Sequence, residues 1–266
     1  MLGKLLKYDI KSQGKSLLPM YLIALGFALA TRGMKYVVDA FPVVSAIYSF
    51  MIAMCIFSFI GVVIWTMIVA IKQFYFNMLK DEGYLTNTLP VTRNQIILSK
   101  ELTSVVYMVV ATAVVILAVM LAFYHGGMKS FLAQVTEVLS INGVDSGRAL
   151  IWIIVMMAIS YISYIQMAFT SLMIGQTQNM NKILFSIVAA IIIYVIQSIL
   201  SLGVLAIDMW IDPNLMDVMS TSNPLLSDVW QYVELVFSST MILILVTMVV
   251  FHVISVFLAN RKLNLE

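Results

Sequence analysis

The sequence predicts an all-α integral membrane protein with six transmembrane helices. Of its 266 residues, 62% are hydrophobic and 11% are charged, and the mean hydropathy is +1.02. This balance lies far from that of a soluble globular domain. A bilayer core about 30 Å thick takes roughly 20 residues of apolar helix, and six runs meet or approach that length. The predicted spans cover residues 17–31, 43–71, 102–124, 150–174, 183–207 and 235–259.

The stretch before the first span, residues 1–15, is predicted to be an amphipathic helix. Leucine and isoleucine recur there at helical spacing, and four lysines occupy the remaining faces (Leu2, Leu5, Leu6, Ile10; Lys4, Lys7, Lys11, Lys15). We expect this helix to lie in the headgroup layer with its lysines near anionic lipid. A disordered basic tail is the alternative.

The first two spans differ in length. The first is short, and Gly26 and Ala30 form a small-xxx-small pair that predicts close approach of another helix. The second would extend about 43 Å as a helix, so it must tilt or project beyond the membrane. Projection would carry residues 73–79 into water as a helical stalk.

The distribution of basic residues predicts the orientation. Eleven Lys and Arg fall on the side that holds both termini and the loop from Lys72 to Lys100, whereas four fall on the other side. The positive-inside rule therefore predicts that both termini and this loop are cytoplasmic. Of the two larger outer loops, residues 125–148 fit a short helix and residues 208–231 fit two interfacial helices, with plain surface loops as the alternative. No repeat or soluble domain is evident, which predicts one membrane domain over residues 1–266.

The residues needed for several kinds of chemistry are missing from the sequence. No G-x-x-x-x-G-K-[ST] motif is present to hold a nucleotide phosphate, and the two histidines, His125 and His252, form no catalytic or metal-binding motif. The single cysteine, Cys55, lies in an apolar run and fits a buried hydrophobic role. The net charge of +2 argues against nucleic-acid binding. We therefore predict no catalytic residue, no metal site and no nucleic-acid partner.

Polar residues within the fourth and fifth spans recur at helical spacing and can face the interior of a helix bundle. They fit either the lining of a transport pathway or interhelical hydrogen bonds that only hold the helices together. The candidate pathway residues are Ser160, Ser163, Gln166, Thr170, Gln197 and Ser201.

The loop between the second and third spans carries sharper local signals. Thr92 and Gln95 fit a capping box, which predicts a helix that starts at about Arg93 and runs into the third span. Upstream, Asp81 fits the N-cap of a short helix that ends at Leu89-Pro90. Its apolar face predicts docking in a groove of another protein, with packing on the chain's own stalks as the alternative. The residues of this segment are Asp81, Glu82, Gly83, Tyr84, Leu85, Thr88, Leu89 and Pro90.

This loop resembles the cytoplasmic loop of ABC-2 type permeases, the transmembrane subunits of bacterial ABC exporters. The string DEGYLTNTLPVT carries most of the likeness, and the six-span layout agrees with it. The resemblance implies that Asp81 to Pro90 is a coupling helix seated on a separate ATP-binding subunit, which would hold ATP and Mg²⁺. It further implies a second permease chain, a bacterial plasma-membrane location, and an amphipathic or apolar cargo such as a peptide antibiotic, lipid or drug.

Two other functions stay open at this stage. A membrane-anchored sensor or accessory protein would use the same short helix to dock a cytoplasmic partner without transport. A carrier independent of ATP would need ionisable residues near the bilayer midplane, where His252 is nearly the only candidate.

Overall fold

The computed structural model describes residues 2–80, 83, 90–123, 133, 136–137, 145–178, 181–214 and 226–261. The described residues are largely helical and contain no strand. The helices are α1 (Leu2–Ala40), α2 (Ser45–Phe74), α3 (Arg93–Phe123), α4 (Ser146–Gly175), α5 (Lys182–Ile211) and α6 (Leu226–Arg261). A 3-10 turn (Pro42–Val44) precedes α2, and a π-helical segment (Tyr75–Leu79) follows it.

Among the described residues, six helices are long and apolar enough to cross a membrane. The predicted all-α class with six spans is therefore confirmed. The observed α5 runs four residues past the predicted end at 207. Asp208, which the sequence placed in an outer loop, is a buried residue of this helix, and its carboxylate accepts a 2.6 Å hydrogen bond from Ser239 Oγ.

The chain forms two compact units. The first consists of Met1–Phe74 with Pro90–Leu132, and the second of Tyr75–Leu89 with Ala133–Glu266. In the first unit α1 packs against both α2 and α3, and in the second α4 packs against both α5 and α6. In each unit, the helix that comes first in the chain therefore packs against both of the others.

The N-terminal helix differs from the prediction, because residues 1–15 and the first span are not separate elements. α1 is one helix of 39 residues that continues through Pro19, a length of about 58 Å. Its buried residues fall every three or four positions between residues 9 and 31 (Asp9, Gln13, Leu17, Tyr21, Ala24, Ala28, Thr31). One packed face therefore crosses the predicted boundary between residues 1–15 and the first span, and the two segments form one continuous helix.

The lysines of α1 lie on its exposed side. Lys4, Lys7, Lys11 and Lys15 are all exposed, and their spacing puts them in one row opposite the packed face. The prediction that Gly26 and Ala30 admit a neighbouring helix is wrong within this chain, because both residues are exposed. The close approach instead uses Ala28 of α1, Cys55 of α2 and Ala118 and Ala122 of α3, which form one buried cluster.

In the second unit, α4 and α5 approach most closely where the chain turns between them. A Cβ atom added at Gly175 would lie 2.6 Å from the carbonyl oxygen of Lys182 and 2.8 Å from the amide nitrogen of Ser186. Because these are backbone atoms, a side chain there would push the two helices apart.

We therefore expect Gly175→Ala to destabilise the protein by about 1–3 kcal/mol, as overpacking generally does. The matched control is Gly203→Ala, since a Cβ there meets no atom within 4 Å and alanine has the better helix propensity. Thermal unfolding of the detergent-solubilised chain measures both variants. Equal melting temperatures would contradict the close contact at Gly175.

Candidate functional site

The polar side chains of the first unit concentrate where α1, the end of α2 and the start of α3 meet. We call this the loop end of the unit, because the loop joining α2 to α3 leaves from it. Gln73 lies one residue before the end of α2, and Ser99 and Lys100 lie in the second turn of α3. All three contact the segment of α1 around Asp9.

An ion pair between Asp9 and Lys100 is the centre of this cluster. Their side chains are only 9% and 5% exposed, so both charges are largely removed from water. Lys100 Nζ donates to Oδ1 of Asp9, and Ser99 Oγ donates to Oδ2 at 2.7 Å. Two neighbouring residues of α3 therefore hold both oxygens of one carboxylate.

The end of α2 joins the same cluster through Gln73. Its Nε2 atom lies 3.5 Å from the carbonyl oxygen of Asp9, to which it donates. Its Oε1 atom is buried and has no hydrogen-bond partner in the described part of the chain. Asp9 is thus contacted from α2 and from α3, the two helices that flank the loop.

Polar contacts continue along α1 away from Asp9. The Tyr107 hydroxyl of α3 donates to the carbonyl oxygen of Ile10 and lies against Gly14, where a Cβ would be 2.5 Å from it. Deeper in the unit, the Tyr21 hydroxyl lies 3.3 Å from Thr66 Oγ1 and 3.4 Å from the carbonyl oxygen of Tyr107. These directional bonds fix the register of α1 against both neighbours.

The indole of Trp65 indicates the depth of the cluster relative to a bilayer. Trp65 is 43% exposed, and its Nε1 donates to the carbonyl oxygen of Ser16 at 3.2 Å. Tryptophan with a polar partner is typical of the headgroup level, and about 20 residues separate Trp65 from the start of α2, enough to cross the hydrocarbon. Asp9 and Gln73 lie about 10 Å farther along their helices than Ser16 and Trp65, so we expect the ion pair to lie outside the hydrocarbon core.

A buried ion pair is costly to break. Desolvation offsets most of the Coulombic attraction, so the pair itself adds little stability, but removing one partner leaves an uncompensated buried charge. We expect Lys100→Met to lower the free energy of unfolding by about 3–5 kcal/mol. Asp9→Leu combined with Lys100→Met removes both charges and is expected to recover most of that loss.

Denaturant unfolding of the purified chain in detergent measures these differences. The control is Lys11→Met, which removes an exposed lysine of α1 and should change stability by less than about 0.5 kcal/mol. A Lys100→Met protein as stable as the parent would show that Asp9 does not depend on this cation.

The loop that the sequence singled out lies mostly outside the described residues. Of the predicted coupling residues, the structure describes Gly83 and Pro90, whereas Asp81, Glu82, Tyr84, Leu85, Thr88 and Leu89 fall outside. The amide of Gly83 donates to the carbonyl oxygen of Lys80 at 2.7 Å, and Lys80 Nζ stands 5.1 Å from the ring centre of Phe76. The short docking helix therefore stays a prediction.

The far side of the loop is described, and it agrees with the capping signal. α3 begins at Arg93, and the amide of Gln95 donates to Thr92 Oγ1 at 3.3 Å. The predicted helix start and its Thr92 cap are confirmed.

The candidate pathway residues lie in the second unit, where the structure joins several of them by hydrogen bonds. Gln197 Nε2 donates to Ser163 Oγ at 3.3 Å, and Ser201 Oγ donates to the Gln197 carbonyl at 3.0 Å. Thr170 Oγ1 lies 2.9 Å from Ser255 Oγ of α6. Ser160 is only partly buried.

Gln166 stands out within this group. It is 7% exposed, and its Oε1 atom has no hydrogen-bond partner among the described residues. Its neighbours on the same face of α4, Ser163 and Thr170, both bond to other helices. An unpaired buried acceptor thus lies between two satisfied polar contacts.

Sequence reasoning missed the residues that form the loop-end cluster. Lys100 was counted only as a topology signal, Gln73 only as part of a stalk, and Asp9 and Ser99 were given no role. The signal that could have pointed to this cluster is Asp9 itself. An acidic residue is unfavourable on a helix face that meets anionic lipid, so it suggests a partner within the protein. Ser255 was also missed, because a lone serine in an apolar run carries little information.

A family model described as an ABC-2 family transporter protein matches residues 4–145, more than half of the chain. The searches of curated proteins and of solved structures returned no match. The matched segment includes α1, α2, α3 and the loop-end cluster.

Proposed function

Since the chain belongs to the ABC-2 family of transporter proteins, we propose that it is the permease subunit of a bacterial ABC exporter. The cargo would be an amphipathic or apolar molecule, such as a peptide antibiotic, a lipid or a drug, moved across the plasma membrane. The termini and the loop between α2 and α3 would face the cytoplasm, in keeping with the distribution of Lys and Arg.

The observation that carries this proposal is how far α2 and α3 extend toward the loop. From the level of Trp65, α2 continues to Phe74 and is followed by the π-helical segment. On the other side, α3 begins at Arg93, a full turn before the buried Ser99 and Lys100. Both helices would reach out of the hydrocarbon and hold the loop in water, where a soluble subunit can bind it.

The partner implied by the family is an ABC ATP-binding subunit. ATP and Mg²⁺ would bind that subunit, and hydrolysis there would drive transport. The segment from Asp81 to Pro90 would seat in a cleft of the partner, with Tyr84, Leu85 and Leu89 forming its apolar contact face. Burial of one tyrosine and one leucine is worth several kcal/mol.

We expect Tyr84→Ala with Leu85→Ala to abolish co-purification of a co-expressed ABC ATP-binding subunit from the same source, while membrane insertion is unchanged. The matched control is Tyr8→Ala with Leu18→Ala, a tyrosine and a leucine of α1 that are 71% and 58% exposed. Pull-down of the tagged chain measures the recovered partner. If the variant Tyr84→Ala with Leu85→Ala recovers as much ATP-binding subunit as the parent, these residues do not form the contact face. If the parent itself recovers none, a sensor or a carrier that works without ATP is favoured.

The proposed assembly contains two permease chains, identical or paired with a related one, two ATP-binding subunits, and bound lipid. Anionic headgroups would meet Lys11 and Lys15, which lie just outside the level of Ser16 on the exposed side of α1. Native mass spectrometry of the same purified material reports both the chain stoichiometry and the retained phospholipid. A single permease chain, or retention of zwitterionic lipid only, would contradict these parts of the proposal.

The polar face of α4 is the proposed contact for cargo. An unpaired acceptor such as Gln166 Oε1 can receive a hydrogen bond from a passing molecule, whereas its satisfied neighbours hold the helices together. The acceptor costs stability in the resting protein because it is buried and unpaired.

We expect Gln166→Leu to lower cargo-stimulated ATPase activity of the complex about fivefold or more, the loss of one hydrogen bond to cargo, without lowering stability. Gln178→Leu, at an exposed position after α4, is the control. ATPase assays with a cationic dye, a cyclic peptide antibiotic and a short-chain phospholipid as trial cargoes measure the effect. If any of these trial cargoes stimulates the ATPase activity of the parent and of the Gln166→Leu complex equally, Gln166 serves only in helix packing.

A further inference from the structure

We propose that Asp9 and Lys100 are positioning residues that fasten α1 to both helices flanking the loop, so that movement of the loop is passed to α1. This inference rests on the proposed function, because it assumes that a partner subunit moves the loop. It assigns a role to residues that lie outside the loop itself.

The first support is where the contacts lie along the chain. Gln73 is the second-to-last residue of α2, and Lys100 follows Pro90 by ten residues. Both ends of the loop are therefore linked to the same residue of α1 through short, helical stretches. On the α3 side, about 10 Å of helix separates the start of α3 at Arg93 from Lys100, the residue that contacts Asp9. A displacement of the loop can therefore be transmitted to Asp9 through this short helix.

The second support is that the contacts are directional. Apolar packing lets helices slide with little change in buried area, because the hydrophobic effect has no preferred direction. The Asp9 carboxylate instead receives Lys100 Nζ on one oxygen and Ser99 Oγ on the other. Sliding by one turn would break both bonds and leave a buried charge unpaired, which is the way such pairs specify register.

The third support is that the bonds are repeated along α1. Tyr107 donates to the carbonyl oxygen of Ile10 and fills the space over Gly14. Its own carbonyl accepts from Tyr21, whose hydroxyl also contacts Thr66 of α2. The fastening at Asp9 therefore continues into the spanning part of the helix, and α1 would move with α2 and α3 as one body.

The experiment uses the complex with its ATP-binding subunit and two cysteine reporters in a Cys55→Ala background. Tyr8→Cys reports on the exposed side of α1, next to Asp9, and Asn94→Cys reports at an exposed position in the first turn of α3. The labelling rate with a membrane-impermeant maleimide is compared with and without ATP and vanadate.

In the parent complex, both reporters are expected to change their labelling rate with nucleotide. In the apolar pair Asp9→Leu with Lys100→Met, the response at Asn94→Cys is retained and the response at Tyr8→Cys is lost. The control pair Lys11→Met with Asp39→Leu makes the same chemical changes at exposed positions of α1 and keeps both responses. If the apolar pair yields no intact complex, Ser99→Ala replaces it, and a partial loss of the response at Tyr8→Cys is expected because one of the two bonds to the Asp9 carboxylate is removed.

A retained response at Tyr8→Cys in the apolar pair would overturn the inference. An ATP-binding subunit that co-purifies with the parent while neither reporter responds would also overturn it and leave the proposed function standing. If the parent recovers no ATP-binding subunit, both the proposed function and this inference are contradicted.

Discussion

Burial of the Asp9 carboxylate is the constraint on which the arrangement of the first unit depends. A charge removed from water needs a partner of opposite sign and donors for its remaining lone pairs. Lys100 and Ser99 of α3 supply them, which requires the N-terminal part of α1 to run alongside the start of α3. The N-terminal residues are therefore a continuation of the helix that forms the first span, with their lysines on its exposed side.

The means of holding helices together changes with depth. Lipid tails are as apolar as leucine, so burial alone gives helices no reason to associate within the hydrocarbon. Near Ala28 and Cys55, the first unit instead uses small side chains that allow close packing. The second unit uses hydrogen bonds between polar side chains, such as that of Thr170 with Ser255. At the loop end, the buried ion pair of Asp9 and Lys100 holds α1 to α3.

The sequence predicted what depends on local pattern. Hydropathy located the six spans, and Thr92 with Gln95 placed the start of α3 correctly, because capping involves residues three apart. The pairing of Asp9 with Lys100 joins residues 91 positions apart, and no local periodicity encodes it. The lysines of residues 4–15 favoured a membrane-surface helix over a packed one, because the sequence shows their common side but not the partners of Asp9 on the opposite side.

The position of the ion pair also bears on how the protein is driven. Carriers coupled to ions place ionisable groups near the bilayer midplane, where protonation or ion binding changes the stable conformation. In the described part of the first unit, the buried charges lie about 10 Å beyond the level of Trp65, next to the loop and away from the midplane. The pair is placed to keep α1 in register with the two helices that flank the loop. An ion-coupled carrier would need ionisable groups at the midplane for its drive, whereas the ATP-driven permease that we propose would not.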